Sequence, residues 1–342
     1  MQKSWPINQF LIFTTSIALL FVIMKFSSDL LAPLFISISI AIVLSPLLNY
    51  LRDRHIPKIV SLILIIIISV TPIIMIGNHI ADDAKRLTQN IEPMKRQFHN
   101  GLKDITANLN SKGVDISKVD IERMLKKSNL SGIIKKLSAQ VNKQFSNIFL
   151  IFFTVAFMLM ESEYFHNKLK KALSTSKIKL EDGLEIIAKI KTYFIIKVKT
   201  SLITAVWVLI ILWYYNISYY YIWATLAFFF NFIPVVGSIF AAVPPIIIAL
   251  MDNGSTTAIW VAIWYAVINN VIGNIIEPRI MGKGLGLSAL VIFLSMTLWG
   301  WVMGPTGMIL SVPLTMAMQF LFEQYEETKW ISLMLSDYEK DE

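Results

Sequence analysis

NFIPVVG, residues 231–237, interrupts an apolar segment of 32 residues, Tyr219–Leu250. GWVMGPTG, residues 300–307, interrupts a second apolar segment of 38 residues, Leu285–Phe322. Each segment exceeds the roughly 20 residues that a helix needs to cross a bilayer once, yet is short of two full crossings. Because proline and glycine break helical hydrogen bonding, the sequence predicts two helical hairpins that enter the membrane and turn back.

The two interrupted segments resemble each other beyond their breaks. GSIFAAVPP begins at Gly237 and GMILSVPLT begins at Gly307, so a Val-Pro pair follows each glycine at nearly the same distance. Paired, interrupted apolar segments in two halves of a chain are typical of secondary transporters, in which broken helices leave backbone groups free to bind a solute. The sequence therefore predicts an internal repeat built around the two hairpins.

The composition is that of an integral membrane protein. Of 342 residues, 55% are hydrophobic and 16% are charged, and the mean hydropathy is +0.61, outside the usual range of soluble domains. There is no cysteine. Six further apolar runs have helical length: Ile7–Met24, Leu30–Leu51, Ile59–Ile76, Phe145–Met160, Ser201–Tyr215 and Ser255–Ile276. Together with the hairpins they predict an all-α membrane protein of about eight transmembrane elements with a helical extramembrane insert.

These runs divide the chain into five predicted parts. Three transmembrane helices occupy residues 1–80, and the extramembrane insert occupies residues 81–146. A fourth transmembrane helix and a basic cytoplasmic linker follow in residues 147–200. Residues 201–322 are the expected transport core, and residues 323–342 are an acidic tail.

Basic residues in short loops predict the orientation. RDRHIPK, residues 52–58, has three basic residues against one acid, so this turn should be cytoplasmic. Both termini are then cytoplasmic and the insert lies outside, although it holds 13 basic residues, because long loops translocate largely regardless of charge. The net charge of +8 lies between spans, so it favours contact with membrane lipids and not with nucleic acid. Lys197 and Lys199 are expected to extend their ammonium groups to the headgroups.

The turns on either side of the run Ser255–Ile276 differ in charge. The turn around Asp252 has no basic residue, whereas the turn Glu277–Gly286 contains Arg279 and Lys283. By the positive-inside rule the first turn lies outside and the second inside. The hairpins then open from opposite faces of the membrane, which predicts an inverted-topology repeat.

The insert has an apolar stripe on an otherwise charged predicted helix, formed by Ile91, Met94, Phe98, Leu102, Ile105 and Leu109. A second helix is predicted from near Ser131 into the fourth span. Such a stripe usually packs within its own chain. Packing against another copy is the alternative, and it predicts a homo-oligomer.

Three polar residues stand out in the last simple span. Asn270, Asn274 and Glu277 are spaced four and three apart, which predicts one helix face. Polar groups at membrane depth are costly and tend to face a cavity or a partner. Glu277 is therefore a candidate proton or cation site and the asparagines are candidate solute contacts. The alternative is that Glu277 lies at the interface and pairs with Arg279.

The hairpin tips supply the other candidates for substrate or ion binding. Pro234 and Gly237, and likewise Pro305 and Gly307, should leave carbonyl and N–H groups free, and Asn231 adds an amide. The alternative is that these prolines only kink packed helices. Gly304 forms a GxxxG spacing with Gly300, which is more typical of close helix packing than of ligand contact.

Enzyme chemistry is poorly supported by the sequence. There is no HExxH pair, nucleophile elbow or Walker A motif, so we expect no catalytic residue, no metal site and no cofactor. Energy for transport should then come from an ion gradient.

The strings NFIPVVGSIFAAVPP and NNVIGNIIEPRIMGKGLGLSALVIFLSMTLWGWVMGPTGMILSVPLT resemble the signature region of the AI-2E family of membrane proteins. The order of elements, with an insert after the third span, agrees along the whole chain. The resemblance implies a transporter of the bacterial inner membrane with eight helical elements. It also implies either export of an autoinducer-2-like solute, which we favour, or sodium/proton antiport. A non-transporting scaffold whose insert binds a partner is the remaining alternative.

Overall fold

The computed structural model describes residues 7–89, 148–162, 180–234, 236–281 and 286–337, with the single positions 164, 168 and 171. The amphipathic helices predicted for the insert beyond Gln89 lie outside these residues. The glycine-rich turn around position 284 lies outside them as well.

Helices account for almost all of the described chain, and no strand occurs in the described ranges. In chain order they are α1 Ile7–Phe26, α2 Ser28–Asp53, α3 Lys58–Gln89, α4 Ile148–Ser162, α5 Leu180–Tyr214, α6 Tyr220–Phe230, α7 Gly237–Asn270, a π-helical turn Val271–Ile276, α8 Glu277–Met281, α9 Ala289–Met303, α10 Pro305–Glu323 and α11 Lys329–Leu335. Five of the described helices are long and apolar enough to cross a membrane, and four shorter apolar helices accompany them. The prediction of an all-α membrane protein is confirmed.

Helix α5 is longer than the sequence analysis predicts. The expected span begins at Ser201, whereas the helix begins at Leu180 and includes part of the expected linker. Lysines and glutamates lower the local hydropathy of this part, but its aromatic residues Tyr193 and Phe194 are buried. The charged residues therefore belong to one face of a packed helix and not to a loop.

The described residues divide between two compact units. The first contains α1, α2, α4, the N-terminal half of α5, α9, α10 and α11. The second contains most of α3, the C-terminal half of α5, and α6, α7 and α8. Each unit holds one of the two interrupted segments.

In the second unit, the first interrupted segment forms two helices, α6 and α7, that contact each other. Trp223, Ala227 and Ala249 lie in their common apolar core. Small side chains at two of these three positions allow the helices to approach closely. Gly254, with φ 85°, then separates the helix that closes the hairpin from the following span. This turn matches the position predicted around Asp252.

In the first unit, the second interrupted segment forms α9 and α10, which also contact each other. The break is at Gly304, with φ 64°, a conformation that glycine adopts at little cost. Pro305 follows as the first residue of α10, where its missing N–H leaves no helical bond unmade. Trp299 Nε1 donates a hydrogen bond of 3.1 Å to Thr315 Oγ1 across the pair. The opposite membrane orientation of the two hairpins stays a prediction.

Candidate functional site

A buried ion pair joins Lys197 of α5 to Glu277 at the start of α8. The two side chains are 8% and 14% exposed. Removing two charges from water costs several kcal/mol per ion unless each finds a partner, so neither group is placed there for stability alone. A paired lysine and glutamate inside a bundle of apolar helices is the strongest indication of a functional site in the described chain.

The first hairpin supplies a second acceptor for this lysine. Lys197 Nζ lies 3.4 Å from the backbone oxygen of Asn231, the residue that ends α6 at the break. The C-terminal end of a helix carries partial negative charge on its unpaired carbonyls, so it favours a cation. The Asn231 side chain is held in turn, because its Nδ2 donates to Ser201 Oγ at 3.0 Å. We call Lys197, Ser201, Asn231 and Glu277 the Lys197 cluster.

The face of α5 that carries Lys197 is polar over two turns. Lys197, Thr200, Ser201 and Thr204 follow the helical spacing of three and four, and all four are buried. Thr200 Oγ1 donates to Lys197 O at 3.2 Å, and Thr204 Oγ1 donates to Thr200 O at 2.9 Å. The hydroxyl hydrogens of the two threonines thus bond within the helix. Lys197 is the charged donor on this face.

A π-helical turn, Val271–Ile276, lies directly before Glu277. Such turns are wider than α-helical ones and often occur at functional sites. Asn270 and Asn274 are exposed and bonded to each other, since Asn274 Nδ2 donates to Asn270 Oδ1 at 3.0 Å. The structure therefore differs from the expectation of one shared face, because the asparagines point outward whereas Glu277 meets Lys197.

Arg279 is exposed and does not pair with Glu277, whose partner is Lys197. The alternative in which Glu277 ends its helix by pairing with Arg279 is therefore wrong. Pro278 separates the two residues, but the ion pair reaches instead to a different helix, α5.

Gly237 fixes the geometry of the break next to the Lys197 cluster. A Cβ at this position would lie 1.9 Å from the backbone oxygen of Phe230, in the last turn of α6. Pro234 lies within the break and its oxygen accepts from Val236 N at 2.6 Å. The chain thus turns so tightly that only glycine can begin α7.

Gly304, Pro305 and Gly307 belong to the other unit and form a break of similar construction. A Cβ on Gly307 would lie 1.8 Å from the backbone oxygen of Trp299. Gly300 packs against Met308, with a would-be Cβ contact of 2.9 Å, which agrees with a packing role. Gly304 has a different role from Gly300, since its positive φ forms the turn itself.

Lys197 and Ser201 are the members of this candidate site that the sequence analysis missed. Lys197 was expected at the headgroups together with Lys199, but only Lys199 is exposed. The signal that distinguishes them is the helical spacing of Lys197 with Thr200, Ser201 and Thr204, which Lys199 does not share. Among the residues that the structure describes, no group of three or more metal-ligating side chains is found.

Replacing Ser201 with alanine should lower transport about fivefold without unfolding the protein. The change leaves Asn231 Nδ2 without its acceptor, and one such bond is worth about 1 kcal/mol. The initial rate of solute uptake, measured beside the amount of folded protein, checks this expectation. Ser295→Ala is the matched control, because Ser295 is also buried but bonds only within its own helix. Equal rates in both variants would contradict a role for Ser201.

Comparison with known proteins finds relatives along nearly the whole chain. Residues 13–327 match the profile of the AI-2E family transporters. The chain is 30% identical to the AI-2 transport protein TqsA of Escherichia coli (strain K12), over 93% of this chain and 92% of that protein. It is 33% identical to a putative transport protein of Haemophilus influenzae, over 99% of both chains, and 28% identical to the putative transport protein YhhT of Escherichia coli (strain K12), over 90% of this chain and 88% of that protein.

These matches cover nearly the whole length of each protein, so they extend to both hairpins and to the span that carries Lys197. The relatives are named as transport proteins, and the helices described above are those of a multi-pass membrane protein. The chain is a member of the AI-2E family of transporters.

Proposed function

We propose that this protein is a secondary transporter that moves a small polar solute outward across the bacterial inner membrane, with the Lys197 cluster as its binding site. The observation that carries the proposal is the buried pair of Lys197 and Glu277 at the broken end of α6. A relative is named an AI-2 transport protein, so an autoinducer-2-like solute is the first to test.

The charges of the cluster favour a solute without net charge. One ammonium and one carboxylate balance each other, so a hydroxylated solute can exchange hydrogen bonds with both without leaving a buried charge unpaired. The backbone oxygen of Asn231, which accepts from Lys197, and the Ser201 hydroxyl add groups that can bond such a solute. Neither group carries charge, which suits a polar but neutral ligand.

Transport requires that the site face each side of the membrane in turn. The hairpin breaks are the natural moving parts, because their backbone bonding is already interrupted at Pro234 and Gly304. Protonation of Glu277 would release Lys197 from its ion pair and leave the oxygen of Asn231 as its remaining acceptor. An ion gradient could therefore drive the exchange through Glu277.

Monovalent cation/proton antiport is the second candidate, and the carboxylate of Glu277 beside the oxygen of Asn231 favours it. Lys197 Nζ contacts both oxygens, so a cation that bound between them would displace the ammonium group. The two candidates can be distinguished by measuring cation-driven proton movement without solute, in the original protein and in Glu277→Gln. Antiport predicts that cation-driven proton movement is lost in this variant.

Uptake of labelled autoinducer-2 into inverted membrane vesicles tests the leading proposal. We expect uptake above that of empty vesicles, stimulated by an imposed proton gradient and lost in Glu277→Gln. Vesicles with folded protein and no uptake would remove autoinducer-2 as the substrate. If those same vesicles show cation-driven proton movement, antiport is assigned. If they show neither proton movement nor solute uptake, the non-transporting scaffold is favoured.

A further inference from the structure

The last turn of α1 lies against the second hairpin, close to its break. Lys25 Nζ donates to the backbone oxygen of Trp301 at 2.8 Å and lies 4.0 Å from the centroid of the Trp301 ring. The Phe21 ring meets Trp299 edge-on, with centroids 5.6 Å apart. These contacts place the ammonium on the last turn of α9, which ends at Met303.

Lys25 and Lys197 occupy equivalent places in their own units. Each ammonium lies on a backbone oxygen at the C-terminal end of the first helix of a hairpin, Trp301 in one case and Asn231 in the other. Both positions use the partial negative charge of a helix end. The resemblance between the hairpins therefore includes a lysine from a neighbouring helix as well as the glycine turns.

The two lysines differ in their counter-charge. Glu277 neutralises Lys197, whereas no carboxylate of the described residues forms an ion pair with Lys25. An ammonium has three N–H groups, and only one of them donates to Trp301.

The residues around Lys25 are of the types that are enriched where an apolar helix leaves the membrane. Its side chain is exposed at the end of a 20-residue apolar helix, beside Phe26, which is 86% exposed, and the half-exposed ring of Trp301. Lysine and tryptophan at the end of an apolar helix are typical of the membrane interface. The Lys25 side chain is exposed, so an anion in the surrounding medium can approach it.

We propose that Lys25 binds a phosphate-bearing anion, which takes at the second hairpin the place that Glu277 has at the first. The headgroup phosphate of an anionic phospholipid is the source that fits the exposed apolar surroundings. Inorganic phosphate has the same chemistry without the acyl chains. Binding would give the exposed ammonium a counter-charge while its hydrogen bond to the Trp301 oxygen stays in place, so the site would stabilise the second hairpin. This inference does not rest on the identity of the transported solute.

The test uses the full-length protein, purified in detergent and stripped of lipid. Phosphatidylglycerol, phosphatidylcholine and inorganic phosphate are added separately, and the apparent melting temperature is followed. We expect phosphatidylglycerol to raise the melting temperature by several degrees more than phosphatidylcholine does in the unmodified protein. This difference should disappear in Lys25→Gln and remain in Lys25→Arg and in Lys199→Gln, which removes another exposed lysine.

The outcomes separate the two sources of the anion. A rise with phosphate equal to that with phosphatidylglycerol, lost in Lys25→Gln, would assign the site to a free anion. A rise with phosphatidylglycerol alone assigns it to lipid. The proposal is overturned if Lys25→Gln retains the full response. Should Lys25→Gln not fold, Lys25→Met keeps the length of the side chain without its charge and serves in its place.

Discussion

Replacing Lys197 with glutamine should lower the free energy of unfolding by about 3 to 5 kcal/mol and abolish solute transport. The change leaves the carboxylate of Glu277 buried without a partner, and breaking a buried ion pair from one side has a cost of this size. It also removes the cation from the end of α6. Thermal unfolding and vesicle uptake, measured on the same preparations, check the two effects.

Glu277→Gln should behave in the same way, because it leaves the ammonium of Lys197 unpaired. The double variant, with glutamine at both positions, should regain most of the lost stability, since two neutral amides can bond each other. It should not regain transport. The stability of the double variant thus separates the structural cost from the functional role.

Lys199→Gln is the control for these variants. Lys199 is two residues from Lys197 on the same helix and is exposed. Its replacement should change the free energy of unfolding by no more than about 0.5 kcal/mol and leave the transport rate unchanged. Full transport by the double variant would contradict our account, because the Lys197 cluster would then be dispensable.

The second large effect is expected at the glycines that begin the returning helices. Gly237→Ala and Gly307→Ala should each destabilise the protein by about 3 kcal/mol or more. An added Cβ would lie 1.9 Å or 1.8 Å from a backbone oxygen, so the helices of the hairpin would have to separate. A backbone oxygen in a helix cannot move aside as the end of a flexible side chain can. The yield of folded protein in detergent measures the loss of stability.

Gly273→Ala is the matched control for the hairpin glycines. Gly273 lies in the π-helical turn, and nothing lies within 4 Å of a Cβ built there. Its replacement should be tolerated or slightly stabilising, since alanine is the better helix former. Loss of folded protein in Gly273→Ala, with normal yields of the other two variants, would show that close approach is not what selects these glycines.

Much of this fold could be predicted, because helices that cross a membrane consist of long apolar runs that are visible in the sequence. The breaks at residues 231–237 and 300–307, and the turn near Asp252, were visible as proline, glycine and polar residues within such runs. In lipid a helix must satisfy its own backbone hydrogen bonds, so residues that interrupt this bonding stand out in an apolar run. The helix that begins at Leu180 was missed, because its charged face lowers the average hydropathy of an otherwise packed segment.

The site was only half predicted. Asn231 and Glu277 were visible as polar residues next to apolar ones, and the structure places both in one cluster. Lys197 was misassigned, since two lysines in IIKVKT look alike until the helix phase is known. The π-helical turn was not predictable from VIGNII, and it is what separates Glu277 from the exposed Asn270. Pairing across distant parts of the chain is set by packing and not by local sequence.

The central claim, that the solute binds at the Lys197 cluster, is tested most directly by labelling a cysteine at position 201. The chain has no cysteine of its own, so Ser201→Cys carries a unique thiol. We expect a small thiol reagent to label it slowly in vesicles that transport, and the transported solute to slow the labelling further. In Ser295→Cys, at a position that is also buried but lies in the other unit, the labelling should not respond to solute. Labelling of position 201 that is unchanged by saturating solute, in a variant that still transports, would contradict the account.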